Sequence, residues 1–256
     1  MRVWRTMLAA ASLLAATITV AHAQSTASVK AKNVVLVHGA WADGSSWSEV
    51  IPILQAAGLR VTAVQNPLTS LAESAAATQR ALAEQDGPTV LVAHSWGGTV
   101  ISQVGTDPNV TGLVYIAARA PDAHEDFVAL SKQFPTGLVR AGIVERNGLT
   151  KLSEDAFLKY FANGVAPAKA KELYAVQWPT AASIFVGRTT DAAWHAKPSW
   201  YAVSKNDDTI NPDLQRFLAK RMHATTVELD AGHLSLVSHP KEVANLILQA
   251  AGYGPS

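Results

Sequence analysis

The sequence predicts an α/β domain: a mostly parallel sheet flanked by helices, with a small helical cap inserted after the fourth strand. Three observations carry this. Short apolar, β-branched runs alternate with helical patterns along most of the chain, which is the rhythm of βαβ units. One such run, Thr89–Ala93, passes through Ser95, Gly97 and Gly98 straight into an apolar helical pattern. The rhythm breaks between Ala118 and Lys197 and then resumes.

The amino terminus reads as a secretory signal. Arg2 and Arg5 form a positive region, Met7–Val20 is apolar, and Ala21-His22-Ala23 fits a small-x-small cleavage site that leaves Gln24 first. The apolar run is short for a membrane span of about 20 residues, so the expectation is cleavage and export, to the periplasm or outside a bacterial cell. Loss of residues 1–23 removes two arginines and leaves 19 basic against 20 acidic side chains. No basic patch stands out, which argues against a nucleic-acid partner. The sequence has no cysteine, excluding disulfides, a thiol nucleophile and thiolate metal sites. The remaining 24–256 suit one domain, with the cap at about 118–197.

Taken in order, Asn33–Val37 is the first strand and ends in His38-Gly39-Ala40-Trp41. Trp47, Val50, Ile51 and Leu54 mark one face of a helix that stops at Gly58. Leu59–Val64 is a strand, Leu71–Gln85 an alanine-rich helix, and Val110–Ala117 the fourth strand. In the cap, Glu125–Phe134, Ser153–Asn163 and Pro167–Gln177 read as short helices. Trp200–Val203 and Thr225–Leu229 are strands, and Pro212–Met222 and Pro240–Ala251 helices.

A serine pressed between a buried strand and a helix sits on a sharp turn, where only small neighbours fit. This is the nucleophile-elbow pattern, written here A-x-S-x-G; the plainer use of Ser95 is to cap the helix. A serine hydroxyl needs a base. Of eight histidines, His233 lies directly after the last strand, on the sheet edge that carries Ser95. His94 adjoins Ser95 but points to the other face and reads as core, while His38 reads as ordering its own loop. The base in turn needs a carboxylate. Asp207 and Asp208 both follow the strand Trp200–Val203, with the D-x-x-I-x-P run favouring Asp207 and Asp122 a distant third. The backbone N–H groups of Ala40 and Trp96 are the candidate oxyanion donors.

These segments resemble the α/β-hydrolase superfamily from about Asn33 onward. They are similar to its branch of small esterases that includes plant methyl esterases and hydroxynitrile lyases. The carriers are VLVHGAW at Val35–Trp41, AHSWGG at Ala93–Gly98, the aspartate run at Asp207, and Gly232-His233. In the lyases the base is followed by a lysine that handles cyanide. Leu234 stands there in this chain, which argues for ester hydrolysis.

The resemblance thus implies an α/β-hydrolase fold and a serine esterase with Ser95, His233 and Asp207 as its triad, acting on a small hydrophobic or aromatic ester without metal or cofactor. Trp41, Phe127, Phe134, Phe161 and Trp178 are the candidate substrate contacts, their plainer use being to pack cap on core. Perhydrolysis or C–C bond hydrolysis on the same triad are the alternatives. Epoxide and haloalkane chemistry need a carboxylate where Ser95 stands. A non-catalytic binding protein predicts a broken triad, and all three members are present.

Overall fold

The computed structural model describes residues 30–254, so the leader expected over 1–23 lies outside the described residues. Strand β1 (Asn33–Val37) is buried along its whole length. A 3-10 turn, Gly44–Trp47, and helix α1 (Ile51–Ala56) follow, where the sequence predicts one helix. Pro52 accounts for the break: lacking an N–H, it is tolerated only in a first helical turn. Next come β2 (Arg60–Val64), α2 (Leu71–Ala83), β3 (Thr89–His94), α3 (Gly97–Val104) and β4 (Val110–Ile116), within two residues of the expected bounds.

The inserted segment begins with α4 (Phe127–Ser131) and a 3-10 turn, Leu138–Gly142. It continues through β5 (Ile143–Arg146), β6 (Leu149–Leu152), α5 (Glu154–Ala156), a π-helical turn over Phe157–Phe161, α6 (Pro167–Ala175) and β7 (Thr180–Ala181). Beside the expected helices this segment therefore holds a three-stranded antiparallel sheet, ordered β5-β6-β7. The hairpin turns on Asn147 and Gly148, whose φ values are 52° and 76°. A two-residue type I′ turn needs positive φ at both positions, and Asn-Gly is the pair that tolerates it best. The chain closes with β8 (Ser199–Ser204), α7 (Pro212–Arg221), β9 (Thr225–Leu229), α8 (Ser235–Ser238) and α9 (Pro240–Ala250).

The main sheet has six strands in the order β2-β1-β3-β4-β8-β9, and every pair is parallel. The β1, β3 and β4 strands are near-continuous apolar runs because helices cover both faces. The chain leaves β1 toward β2 on one side and leaves β3 toward β4 on the other. That reversal opens a crevice beyond the carboxyl ends of β1 and β3, where a ligand meets the sheet.

Candidate active site

Ser95 stands in that crevice. Its φ of 55° is in the left-handed region, costly for a residue with a side chain. The surroundings hold it there: Ser95 N–H donates to Ile116 O (3.2 Å), and Ser95 O accepts from Arg119 N–H (2.9 Å). Behind the turn, a Cβ on Gly97 would lie 2.7 Å from Val37 O, so the first turn of α3 packs on β1 only without a side chain there.

His233, in the loop after β9, brings its Nε2 within 2.9 Å of Ser95 Oγ, and its Nδ1 lies 2.7 Å from Asp207 Oδ2. A carboxylate only accepts, so Nδ1 carries the hydrogen and Nε2 is free to accept from the serine hydroxyl. Asp207, after β8, is saturated with donors. Thr209 N–H (2.7 Å) and Ile210 N–H (2.9 Å) reach Oδ1, while Gln215 Nε2 (2.7 Å) joins His233 at Oδ2. Gln215 also donates to Ile210 O (2.8 Å) and accepts from Ser204 N–H (2.9 Å), bolting α7 to the end of β8. Asp208 offers its backbone carbonyl to Val139 N–H (3.2 Å), and Asp122 pairs with His195 (3.0 Å), away from His233.

Two further buried histidines flank the site. His38 Nε2 accepts from Asn66 N–H (2.9 Å), which leaves Nδ1–H to donate to Gly39 O (2.9 Å). Burial pulls its pKa down to about 4, so it is neutral at pH 7. His94 donates Nε2–H to the carbonyl of His233 (3.0 Å), and the two rings lie 4.6 Å apart. Burial, then the neighbouring His233, holds His94 well below the ordinary histidine range.

Beyond Ser95 lies a cavity of about 340 Å³. Ala40 and Trp96 line it together with the serine, and among the described residues no hydrogen bond engages their backbone N–H groups. Gly39 brings the Ala40 turn close: a Cβ there would sit 2.5 Å from Ser95 Cβ. Trp41, Val139, Ile143, Phe185 and Ile210 make apolar walls, and Arg119, Arg140 and Thr209 supply the polar ones.

A family model described as "Alpha/beta hydrolase family" matches residues 34–246. The chain belongs to the α/β-hydrolase family. It is 23% identical over 253 residues to Methylesterase 2 of Arabidopsis thaliana, covering 86% of this chain and 96% of that protein. Among solved structures, polyneuridine aldehyde esterase superposes with a TM-score of 0.75 at 17% identity, covering 86% of this chain and 99% of that one. A pyrethroid hydrolase from Sphingobium faniae gives 0.70 at 20% identity, covering 86% and 97%.

Of the five aromatic residues expected to contact substrate, Trp41 alone lines the Ser95 cavity of this hydrolase. Phe161 is buried behind the histidine, its ring 5.0 Å from that of His233. Phe127 sits in a smaller neighbouring cavity, behind Arg119. Phe134 packs on Phe217 (5.8 Å), and Trp178 is 53% exposed. The turn after β7, Ala182–Val186, brings Phe185 into the wall of the Ser95 cavity instead. Ile184 O accepts from Trp96 Nε1 (3.0 Å), and Phe185 lies 5.2 Å from Trp41. Phe185, Arg119 and Gln215 were not read from the sequence. Arg119 follows β4 on the active edge, a position that topology alone marks as close to Ser95.

Proposed function

We propose that this hydrolase cleaves carboxylic esters through a Ser95–His233–Asp207 triad and an acyl-enzyme. The observation that carries the reading is the hydrogen-bonded run from Ser95 Oγ through His233 to Asp207, set under a cavity with two spare backbone donors. His233 Nε2 takes the serine proton as Oγ bonds to the ester carbon, and the resulting oxyanion accepts from Ala40 and Trp96 N–H. Collapse expels the alcohol, which receives that proton from His233. Water, deprotonated by the same nitrogen, then attacks the acyl group and frees the acid and Ser95. Buried Asp207 fixes the imidazole tautomer and stabilises the imidazolium in both halves. Trp41, Phe185, Val139 and Ile143 favour a small ester with an apolar acyl or alcohol part. The names of the relatives, methylesterase, aldehyde esterase and pyrethroid hydrolase, are of the same chemical class.

The test is hydrolysis of a short p-nitrophenyl ester series by the protein and by Ser95→Ala, with a fluorophosphonate probe as a second readout. The expected result is a loss of about ten-thousand-fold or more in kcat, and labelling of the parent protein only. Equal rates in the two proteins remove Ser95 as the nucleophile.

A further inference from the structure

Arg119 lines the cavity and has no carboxylate partner among the described residues. Its backbone is fixed from two sides. Arg119 N–H donates to Ser95 O (2.9 Å), and Ala118 before it is gripped by the Tyr201 hydroxyl, which accepts from Ala118 N–H (3.0 Å) and donates to Ala118 O. The guanidinium is steadied by the rings of Phe127 (4.9 Å) and Phe185 (5.4 Å). A guanidinium carries five N–H donors. Among the described residues the only acceptor it has is Phe185 O, 3.2 Å from Nη1. By contrast, Arg60, Arg188, Arg216 and Arg221 each hold a carboxylate at 2.6–2.9 Å.

The charge that acts on Arg119 has the same sign. Arg140 lines the same cavity, and burial together with Arg140 pulls Arg119 down to about 10, which leaves it cationic at neutral pH. A half-buried cation beside a second cation carries an electrostatic cost. An anion delivered into the cavity relieves that cost. The planar fork of Arg119 matches a carboxylate through two parallel hydrogen bonds, and the apolar walls suit the carbon chain that would separate this carboxylate from the ester at Ser95.

We infer, resting on the ester-hydrolase reading above, that Arg119 and Arg140 form a carboxylate subsite and that the preferred substrates are half-esters of dicarboxylic acids. The free carboxylate lies on the arginines while the ester carbonyl meets Ser95.

The experiment compares monomethyl esters of the four- to eight-carbon dicarboxylic acids with methyl esters of the matching monocarboxylic acids, following acid release. Parent protein, R119Q, R119K and R140Q are run side by side. Binding of the same half-esters to S95A is followed by fluorescence, since Trp41 and Trp96 line the cavity. The parent protein should favour at least one half-ester by about tenfold or more in kcat/KM. R119Q should remove that preference through KM, and R119K, which keeps the charge without the fork, should retain part of it. If R119Q fails to fold, R119K and R140Q carry the comparison, each lowering the preference severalfold. Equal treatment of half-esters and neutral esters by the parent protein overturns the subsite and leaves the esterase standing. So does a variant that slows both classes alike, which marks Arg119 as a strut. Half-ester binding to S95A that needs Arg119, without turnover by the parent, keeps the subsite and removes the hydrolase reading. Neither binding nor turnover of any half-ester overturns the subsite.

Discussion

Replacing Gln215 by glutamate changes one buried NH₂ into oxygen at the shape of the original side chain. Gln215 Nε2 lies 2.7 Å from Asp207 Oδ2, so Gln215→Glu sets a second carboxyl against that of Asp207. Two carboxylates with charge centres about 4 Å apart repel by about 4 kcal/mol at an effective dielectric of about 20. That repulsion lifts the new carboxyl in the folded state well above the ordinary glutamate range, toward neutral pH. Below that pH it is protonated, and its O–H replaces the lost donor to Asp207, while its other oxygen still accepts from Ser204 N–H. Ile210 O loses its partner at every pH, at a cost of about 1 kcal/mol. A folded pKa above the unfolded one means that stability falls as pH rises through the interval between them. The gap between variant and parent should therefore widen by about 2–3 kcal/mol from pH 5 to pH 8. Urea unfolding at the two pH values, followed by circular dichroism, measures it. A gap that is constant with pH, or that narrows on the alkaline side, refutes the placement of Gln215 against the Asp207 carboxyl.

Two further predictions follow from neighbouring residues. His38 has a folded pKa of about 4 against about 6.5 when unfolded, so the unfolded chain takes up the proton first as pH falls. Its contribution is complete above about pH 6.5 and about 3 kcal/mol is lost by pH 4; His38→Gln, which keeps an acceptor for Asn66 N–H, should flatten urea midpoints over that interval, and unchanged slopes would count against the buried neutral ring. Gly39→Ala puts a Cβ 2.5 Å from Ser95 Cβ and 3.1 Å from its Oγ, so the fold should survive with about 1–3 kcal/mol lost while ester turnover falls about a hundredfold. Turnover within threefold of the parent would show that the turn has room to give.

The parallel sheet was legible because its inner strands are buried on both faces and spell unbroken apolar runs, such as Val34–Val37 and Val90–Ala93. Once their order along the chain was read, the rule that loops after parallel strands share one edge brought Ser95, Asp207 and His233 to the same place. The cap obeyed no such rule. Its hairpin did carry a local signal, the Asn147-Gly148 pair, but the flanking runs IVER and LTKL do not alternate apolar with polar, and β7 is two residues long and pairs only through tertiary packing. Phe134 and Trp178 were singled out by residue type, and type does not say which way a short element faces. Gln215 looked like one more polar position on an amphipathic helix. Its role exists only because the start of α7 lies over the carboxylate that follows β8.

The cap sheet is also fastened to Trp41, at the end of the loop after β1. Trp41 Nε1 donates to Thr150 Oγ1 (3.0 Å), Trp41 N–H donates to Thr180 Oγ1 (3.0 Å), and Thr150 Oγ1 donates to Thr180 O (2.9 Å). Trp41 is the residue after Ala40 and is itself held at a φ of 57°. The small sheet is thus the far abutment of the turn that presents the Ala40 donor. Exchanging the hairpin between relatives to alter substrate choice would move that donor as well, so specificity and rate are not separable modules on this side of the cavity. The Leu138–Gly142 turn, which carries Val139 and Arg140, is tied instead to the loop after β8, Val139 N–H donating to Asp208 O (3.2 Å), so changes on that side bear on the loop that holds Asp207 and not on the Ala40 turn.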